Sequence, residues 1–332
     1  ILFFYFLKFL TFHSINIMIL FTIFVIFIIL LLSYVVYYRL SRIKCFEPKA
    51  LKYFHGKTVC VTGASSGLGK EIARIAFEHG AHVIMAARRI DELERIKMEF
   101  LATGTGNGTK IEPDIIQLDL SSIEQSENVA KKMCEKFNVD ILVNNAGISS
   151  RAPALQTVVD VDHRMMMVNF LGHIAFTKII IKSMMTESKR NGHGQILAIT
   201  SIQDRLAIPF RSSYSSSKHA SRAWYDSLRS ELSLIAPKIH ISLLAPGYIR
   251  TNISMNAMNS DGTKYGQMDE TTANGYTAEY VATISLEMLL NGDHEIVLAP
   301  FIHRILVIIR TLWPVFYFFI MKIYAKQKSK SS

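Results

Sequence analysis

Lys57-Thr58-Val59-Cys60-Val61-Thr62-Gly63-Ala64-Ser65-Ser66-Gly67-Leu68-Gly69 is a short β-branched run that ends in a glycine-rich turn. The stretch Lys70 to His79 then carries the apolar spacing of a helix. A strand feeding a helix through closely set glycines lets the backbone approach a pyrophosphate. The helix N-terminus adds amides and a positive dipole end at the same point. A glycine turn alone is a weak signal, because loops collect glycine. Downstream, however, stand Ser201, Tyr214 and Lys218. The turn reads as a dinucleotide site, and the Ser…Tyr-x-x-x-Lys set reads as hydride chemistry at a carbonyl or alcohol.

Outward from that turn, short apolar runs alternate with helical patterns from Lys57 to Leu298. Strands are predicted near 57–62, 82–87, 114–118, 140–144, 195–200, 239–245 and 295–298. Helices are predicted near 67–79, 90–103, 121–137, 157–188, 211–236 and 277–290. Such alternation gives an α/β fold of Rossmann type, a doubly wound parallel sheet with helices on both faces. The strand runs are apolar throughout, as at Ile141-Leu142-Val143, which suits a sheet covered on both sides. The domain is drawn as 53–300. Met165-Met166-Met167 reads as core rather than as a cofactor box.

The second strand ends in Ala86-Ala87-Arg88-Arg89. A carboxylate there would bind a ribose 2′-hydroxyl, whereas arginine suits a 2′-phosphate. NADP(H) is therefore expected over NAD(H), with NAD(H) left open. Tyr214 and Lys218 lie four apart and share a helix face. A free phenol titrates near 10. A neighbouring ammonium and a positive nicotinamide are expected to bring it toward working pH, so that it serves as the acid. Ser201 would steady the substrate oxygen as hydride adds.

These residues resemble the short-chain dehydrogenase/reductase family, over residues 57 to 256. Thr62-Gly63-x-x-x-Gly67-x-Gly69 is similar to its glycine fingerprint, which brings Thr62, Ser65, Ser66 and Leu68 into the cofactor set with the glycines. The resemblance assigns Asp119-Leu120 to the adenine and Asn145-Ala146-Gly147 to the turn beneath the cofactor. It gives Asn169 a proton-relay water, Lys218 the nicotinamide ribose, and Pro246, Gly247 and Thr251 the nicotinamide end. Thr200 stands where many members carry a second serine. A homodimer through the two long helices is implied in the same way.

Thr200-Ser201-Ile202-Gln203, Ile208-Pro209-Phe210-Arg211-Ser212, the segment Asn256 to Asn274 and the tail Leu306 to Lys330 resemble a membrane-bound branch of that family. That likeness implies an oxidoreductase of the endoplasmic reticulum acting on a lipophilic ketone or aldehyde. Acyl- or alkyl-dihydroxyacetone phosphate, retinal and a steroid are the candidates. An NAD-linked alcohol dehydrogenase running oxidatively and a non-catalytic membrane scaffold are the competing readings.

Half of the residues are apolar, and the excess sits at the two ends. Ile15 to Tyr38 is a run of 24 residues without a charge, closed by Arg39. About 20 apolar residues span a bilayer core. The run exceeds a secretory h-region and ends in an aromatic and basic edge, so it reads as an anchor over 1–44 rather than a cleaved leader. The tail 301–332 is apolar and aromatic but broken by Arg304, Arg310 and Pro314, which suits short helices on a membrane surface. The net charge of +10 collects beside these ends, pointing to anionic lipid and not to nucleic acid. Three cysteines at unrelated spacings give neither a metal pattern nor a disulfide framework.

Residues 252–276 are too long for an ordinary connection and read as a substrate lid, with Met255, Met258, Tyr265 and Met268 as its apolar lining. Arg39, Arg42, Lys44, Lys49 and Lys52 follow the anchor, which places the catalytic domain in the cytosol. The lumen stays open as the alternative. Asn107-Gly108-Thr109 and Asn252-Ile253-Ser254 are glycosylation sequons that would report on it.

Overall fold

Thr58–Thr62 (β1) is an inner strand of the sheet, and in the computed structural model it pairs in parallel with strands on both sides. The structure describes residues 46–103, 111–186 and 192–330, with scattered positions between 22 and 30. The last of these, Thr22, Ile23, Ile26, Phe27 and Leu30, are helical and exposed. The rest of the expected span at 15–38, Cys45 and the sequon at Asn107 lie outside the described residues. Ile1–Lys49 and Ala50–Ser332 are separate compact units.

In chain order the main strands are β1, His82–Ala87 (β2), Asp114–Gln117 (β3), Ile141–Asn144 (β4), Gly194–Ile199 (β5) and Ile239–Pro246 (β6). Two two-residue strands, Ile249–Arg250 (β7) and Tyr276–Thr277 (β8), precede Glu295–Leu298 (β9). Seven of them form one parallel sheet in the order β3-β2-β1-β4-β5-β6-β9. The chain crosses from β3 back to β4 beside β1, so a crevice opens at the carboxyl ends of β1 and β4, where such sheets take ligands.

The helices are Phe46–Phe54 (α1), Gly67–Glu78 (α2), Ile90–Thr103 (α3), Ile123–Lys136 (α4), Val159–Met166 (α5), Gly172–Thr186 (α6) and Ser212–Ile235 (α7). Glu270–Ala273 (α8), Ala278–Asn291 (α9), Phe301–Leu312 (α10) and Pro314–Lys330 (α11) complete the set. Alternate strand residues face opposite layers. Cys60, Ile84, Leu142 and Ile196 pack with Met133 of α4, Phe176 and Ile180 of α6 and Tyr225 of α7. The other face is covered by α2, α3 and α9. Cys60 is a buried core thiol, as its place in the strand implied, and burial raises its pKa.

Two departures from the sequence reading bear on the site. The long helix expected at 157–188 is divided by a π-turn, Met167–Leu171, around Asn169. Gly172 resumes the α-helix where a Cβ would lie 2.1 Å from Leu120 O, so the helix meets the β3 loop backbone to backbone. The lid has its ends tied by β7 and β8, which pair through Ile249–Tyr276 and Arg250–Thr277.

Candidate active site

A cleft of about 540 Å³ lies over the carboxyl ends of the strands. Its floor begins with Gly63, whose φ of +70° admits glycine and whose N–H donates to Ala86 O at 2.7 Å. A Cβ there would stand 2.8 Å from Ala146 Cα. Ser66 caps α2 without a side-chain bond, leaving the first-turn amides for a ligand. Ser65, Gly67 and Leu68 line the same end of the cleft.

Thr62 and Gly69 do not reach the cleft. The Thr62 hydroxyl accepts from Asn145 N at 3.0 Å and Ala146 N at 3.1 Å, and its carbonyl accepts from Asn145 Nδ2. A Cβ on Gly69 would lie 2.4 Å from both Asn145 Nδ2 and Gly63 O. Both residues hold the β4 turn against the glycine turn from beneath. Asn145, Ala146 and Gly147 are thereby set into the cleft wall.

Arg88 and Arg89 stand at its far end. Arg89 Nη2 donates to Ser65 Oγ at 3.0 Å and to Ser66 Oγ at 3.4 Å. Asp119 and Leu120 line that end too, with Asp119 Oδ1 accepting from Ser121 N. Asp119 is the one carboxylate among the described residues lining the cleft. At the opposite end Pro246, Gly247 and Thr251 line it.

Ser201, Tyr214 and Lys218 converge midway. Ser201 leaves β5 in extended backbone, its Oγ accepting from Gln203 N at 3.2 Å, and its side chain lies close enough to the Tyr214 phenol to favour the phenolate. Lys218 Nζ donates to Ile199 O at 3.1 Å and sits 5.8 Å from the Tyr214 ring centroid. A Cβ on Gly147 would lie 3.3 Å from Asn169 Oδ1, a tight contact, and 3.8 Å from that ammonium, an ordinary one. Thr200, the departure from the family pattern, donates its hydroxyl to Leu244 O at 3.0 Å and so is used in holding β5 to β6.

Burial dominates the electrostatics of the pair. Burial raises the pKa of Tyr214, outweighing Ser201, Arg151 and Arg211, which act the other way. Burial also pushes the Lys218 ammonium down to about 8. The pocket therefore favours the proton-bearing form of the phenol, the form able to donate a proton.

Asn169 is buried on the π-turn. Its Oδ1 accepts from Ile148 N at 2.8 Å, while Nδ2 donates to Ile148 O and Ser217 Oγ, each at 3.0 Å. A small cavity of about 10 Å³, bounded by Asn169, His173, Lys218 and Ser221, lies behind the lysine. That is the scale of one water.

Three further residues escaped the sequence reading. Arg151 and Arg211 line the cleft on the Tyr214 side, and Asp269 of the 252–276 segment joins them: Oδ2 is 2.7 Å from Arg151 Nε and 3.0 Å from Arg211 Nη2. The lid's side of the cleft is polar, with Asn252, Asn256, Lys264 and Thr272 beside Ile253. The expected lining by Met255, Met258, Tyr265 and Met268 is not what the structure shows. Met258 packs on Val161, Met165 and Tyr214, and the Met268 sulfur accepts from Ser254 Oγ. Met165 is fully buried in that cluster, as a core residue.

The family model for short chain dehydrogenase matches residues 57–262. A dehydrogenase/reductase SDR family protein 7-like from Anopheles gambiae is 42% identical over 83% of this chain and 85% of its own. Dehydrogenase/reductase SDR family member 7B from Rattus norvegicus is 40% identical over 84% of each. Among solved structures, an alcohol dehydrogenase from Thermococcus sibiricus complexed with 5-hydroxy-NADP is 29% identical, with a TM-score of 0.57 over 74% of this chain and 95% of that one.

Proposed function

The chain belongs to the short-chain dehydrogenase/reductase family, and we propose that it is a membrane-bound, NADP(H)-dependent reductase of a lipophilic ketone or aldehyde. The observation that carries the reading is the meeting of Ser201, Tyr214 and Lys218 in one cleft with a glycine turn and a free helix end. NADP(H) would lie along Gly63 to Leu68, with its 2′-phosphate toward Arg88 and Arg89. Bound there, it supplies the hydride.

The chain's own residues do the rest. Ser201 orients the carbonyl oxygen and stabilises charge on it. Tyr214 donates its proton to that oxygen. Lys218 would hold the nicotinamide ribose and steady the phenolate left behind, and a water beside Asn169 would return the proton. The NADP-type ligand of the Thermococcus neighbour supports the cofactor assignment, as does the pair Arg88-Arg89, in place of a carboxylate, just after β2.

The membrane reading rests on the apolar N-terminal run, the exposed apolar rows of α10 and α11, and the likeness to family member 7B. We place the enzyme in the endoplasmic reticulum, its catalytic domain on the cytosolic side, acting on acyl- or alkyl-dihydroxyacetone phosphate, retinal or a steroid. A homodimer through α5–α6 and α7 is part of the same proposal. Purified protein assayed on lipid extracts should turn over NADPH in preference to NADH, and Tyr214→Phe should lower that turnover at least about a hundred-fold. A clear preference for NADH, or full activity of the variant, overturns the reading.

A further inference from the structure

We propose that Arg151 and Arg211 form an anion clamp on the substrate side of the cleft, reading a carboxylate or phosphate on the substrate, with Asp269 of the lid holding the clamp in the arrangement described. The inference rests on the oxidoreductase reading above and names the chemistry of the substrate's polar end.

The charge balance points there. Arg151, Arg211 and Lys264 line this side of the cleft, whereas Asp119 is at the nucleotide end. The Arg151 and Arg211 side chains are 8% and 11% exposed, yet they share one oxygen of one carboxylate. A buried cation needs a partner, and a guanidinium is best met by two oxygens rather than half of one. Arg151 also donates through Nη1 to Ser149 Oγ and Ser150 O. The described hydrogen bonds of the Arg211 guanidinium end at Asp269. Arg211 disfavours the charge on Arg151, whose pKa is lowered by burial first and then by this neighbour. The phosphates of a dinucleotide belong to the glycine turn and to Arg88 and Arg89, so they do not answer these two cations.

The backbone is built to present them. Phe210 has φ +63°, a left-handed conformation that a bulky residue adopts only where its surroundings impose it. Its carbonyl accepts from Ala152 N, next to Arg151, and Arg211 follows it as the cap of α7, one turn before Tyr214. The lid is stitched to the same place, with Arg151 N donating to Met258 O at 2.8 Å and Met258 N to Ser149 O at 2.9 Å. Asp269 thus enters as a carboxylate from a separate segment, occupying a position that an incoming anion would contest.

The test is calorimetric titration of the full-length, NADPH-saturated protein with hexyl phosphate, hexanoate and hexanol. One or both anions should bind at least about ten-fold more tightly than the alcohol, the worth of one charge-assisted hydrogen bond. The phosphate and carboxylate arms separate the two sources of charge. Arg211→Gln and Arg151→Gln should each remove most of that selectivity, Arg211→Lys should keep part of it, and Asp269→Asn should tighten anion binding several-fold. Equal affinity for anion and alcohol, or selectivity untouched by Arg211→Gln, overturns the clamp and leaves the oxidoreductase reading standing. Failure of the protein to bind NADPH overturns both.

Discussion

Arg89, just after β2, places Nη2 3.0 Å from Ser65 Oγ, joining the end of that strand to the glycine turn. An arginine in that position meets a 2′-phosphate, and an aspartate would meet a 2′-hydroxyl. Arg89→Asp should therefore raise the KM for NADPH by roughly ten- to a hundred-fold, the worth of one or two charged hydrogen bonds. It should bring the kcat/KM values for NADPH and NADH together or reverse them. Steady-state rates with each nucleotide measure this, and an unchanged ratio would remove Arg89 from cofactor choice.

Tyr214→Phe should lower kcat by roughly 10²–10⁴-fold, the usual contribution of a positioned proton donor. The fold should be retained, because the ring remains in its cluster with Val161, Met165 and Met258. Circular dichroism checks the fold and single-turnover NADPH oxidation checks the chemistry. An active, folded variant would refute the assigned acid.

Lys218 sets a pH limit. Its ammonium is held down to about 8 by burial, so the charged form prevails below that value and the neutral form above it. Reductase kcat/KM should fall as pH rises through about 8, with an inflection that moves or disappears in Lys218→Arg. A flat profile to pH 9.5 would mean that the ammonium does not act on the phenol.

His173 ties stability to acid. Burial pushes its imidazole down to about 4, the Ala146 carbonyl opposing and Lys218 adding to the shift. The unfolded chain takes a proton near 6.5 and the folded one only near 4. The stabilisation is therefore complete above pH 6.5 and is lost as pH falls toward 4, at most about 3 kcal/mol. Urea unfolding should show this acid limb in wild type and a shallower one in His173→Gln. Parallel curves would exclude His173 as its source.

The sheet and the nucleotide end were legible because their signals are local. Buried parallel strands read as unbroken apolar runs, and the glycine turn, the Tyr214–Lys218 spacing and Arg88-Arg89 each lie within a few residues. What the sequence concealed is made by contacts across the chain. Arg151 and Arg211 meet Asp269 over separations of 118 and 58 residues, and alone each resembles a solvated charge. Thr62 looks like a member of the fingerprint but spends its hydroxyl on Asn145 and Ala146. The lid methionines suggest an apolar lining. However, Met258 faces the core, because the lid is stitched through its backbone to Ser149 and Arg151. The π-turn at Asn169 has no compositional mark at all.

Gly172 gives a packing prediction. Gly172→Ala would set a methyl 2.1 Å from the Leu120 carbonyl, a backbone atom that cannot step aside. It should cost about 1–3 kcal/mol, as overpacking does, and disturb the adenine end through Leu120. Gly292→Ala, at φ +67° with open space around it, should cost about 1 kcal/mol through its backbone alone and leave the nucleotide affinity unchanged. Thermal unfolding with and without NADPH separates the two. Equal losses and equal NADPH responses would argue against the tight contact.

The tail makes the last prediction. Tyr317 is buried and donates to Ala207 O at 2.7 Å, fixing α11 to the segment just after Ser201. Around it Phe301, Leu312, Trp313, Val315, Phe318 and Phe319 are exposed, with Arg310, Lys322 and Lys326 among them. Water does not favour such a surface. A bilayer interface does, and each basic residue near anionic lipid adds about 1 kcal/mol. The chain has two tryptophans, and the other, Trp224, packs against the core. In proteoliposomes of full-length protein, lipids brominated near the headgroup should quench Trp313 strongly. Lipids brominated near the chain ends should quench it weakly, and Trp313→Phe should remove the quenched component. Stronger quenching from the chain ends would indicate a spanning tail. No quenching at either depth would free the tail from the membrane.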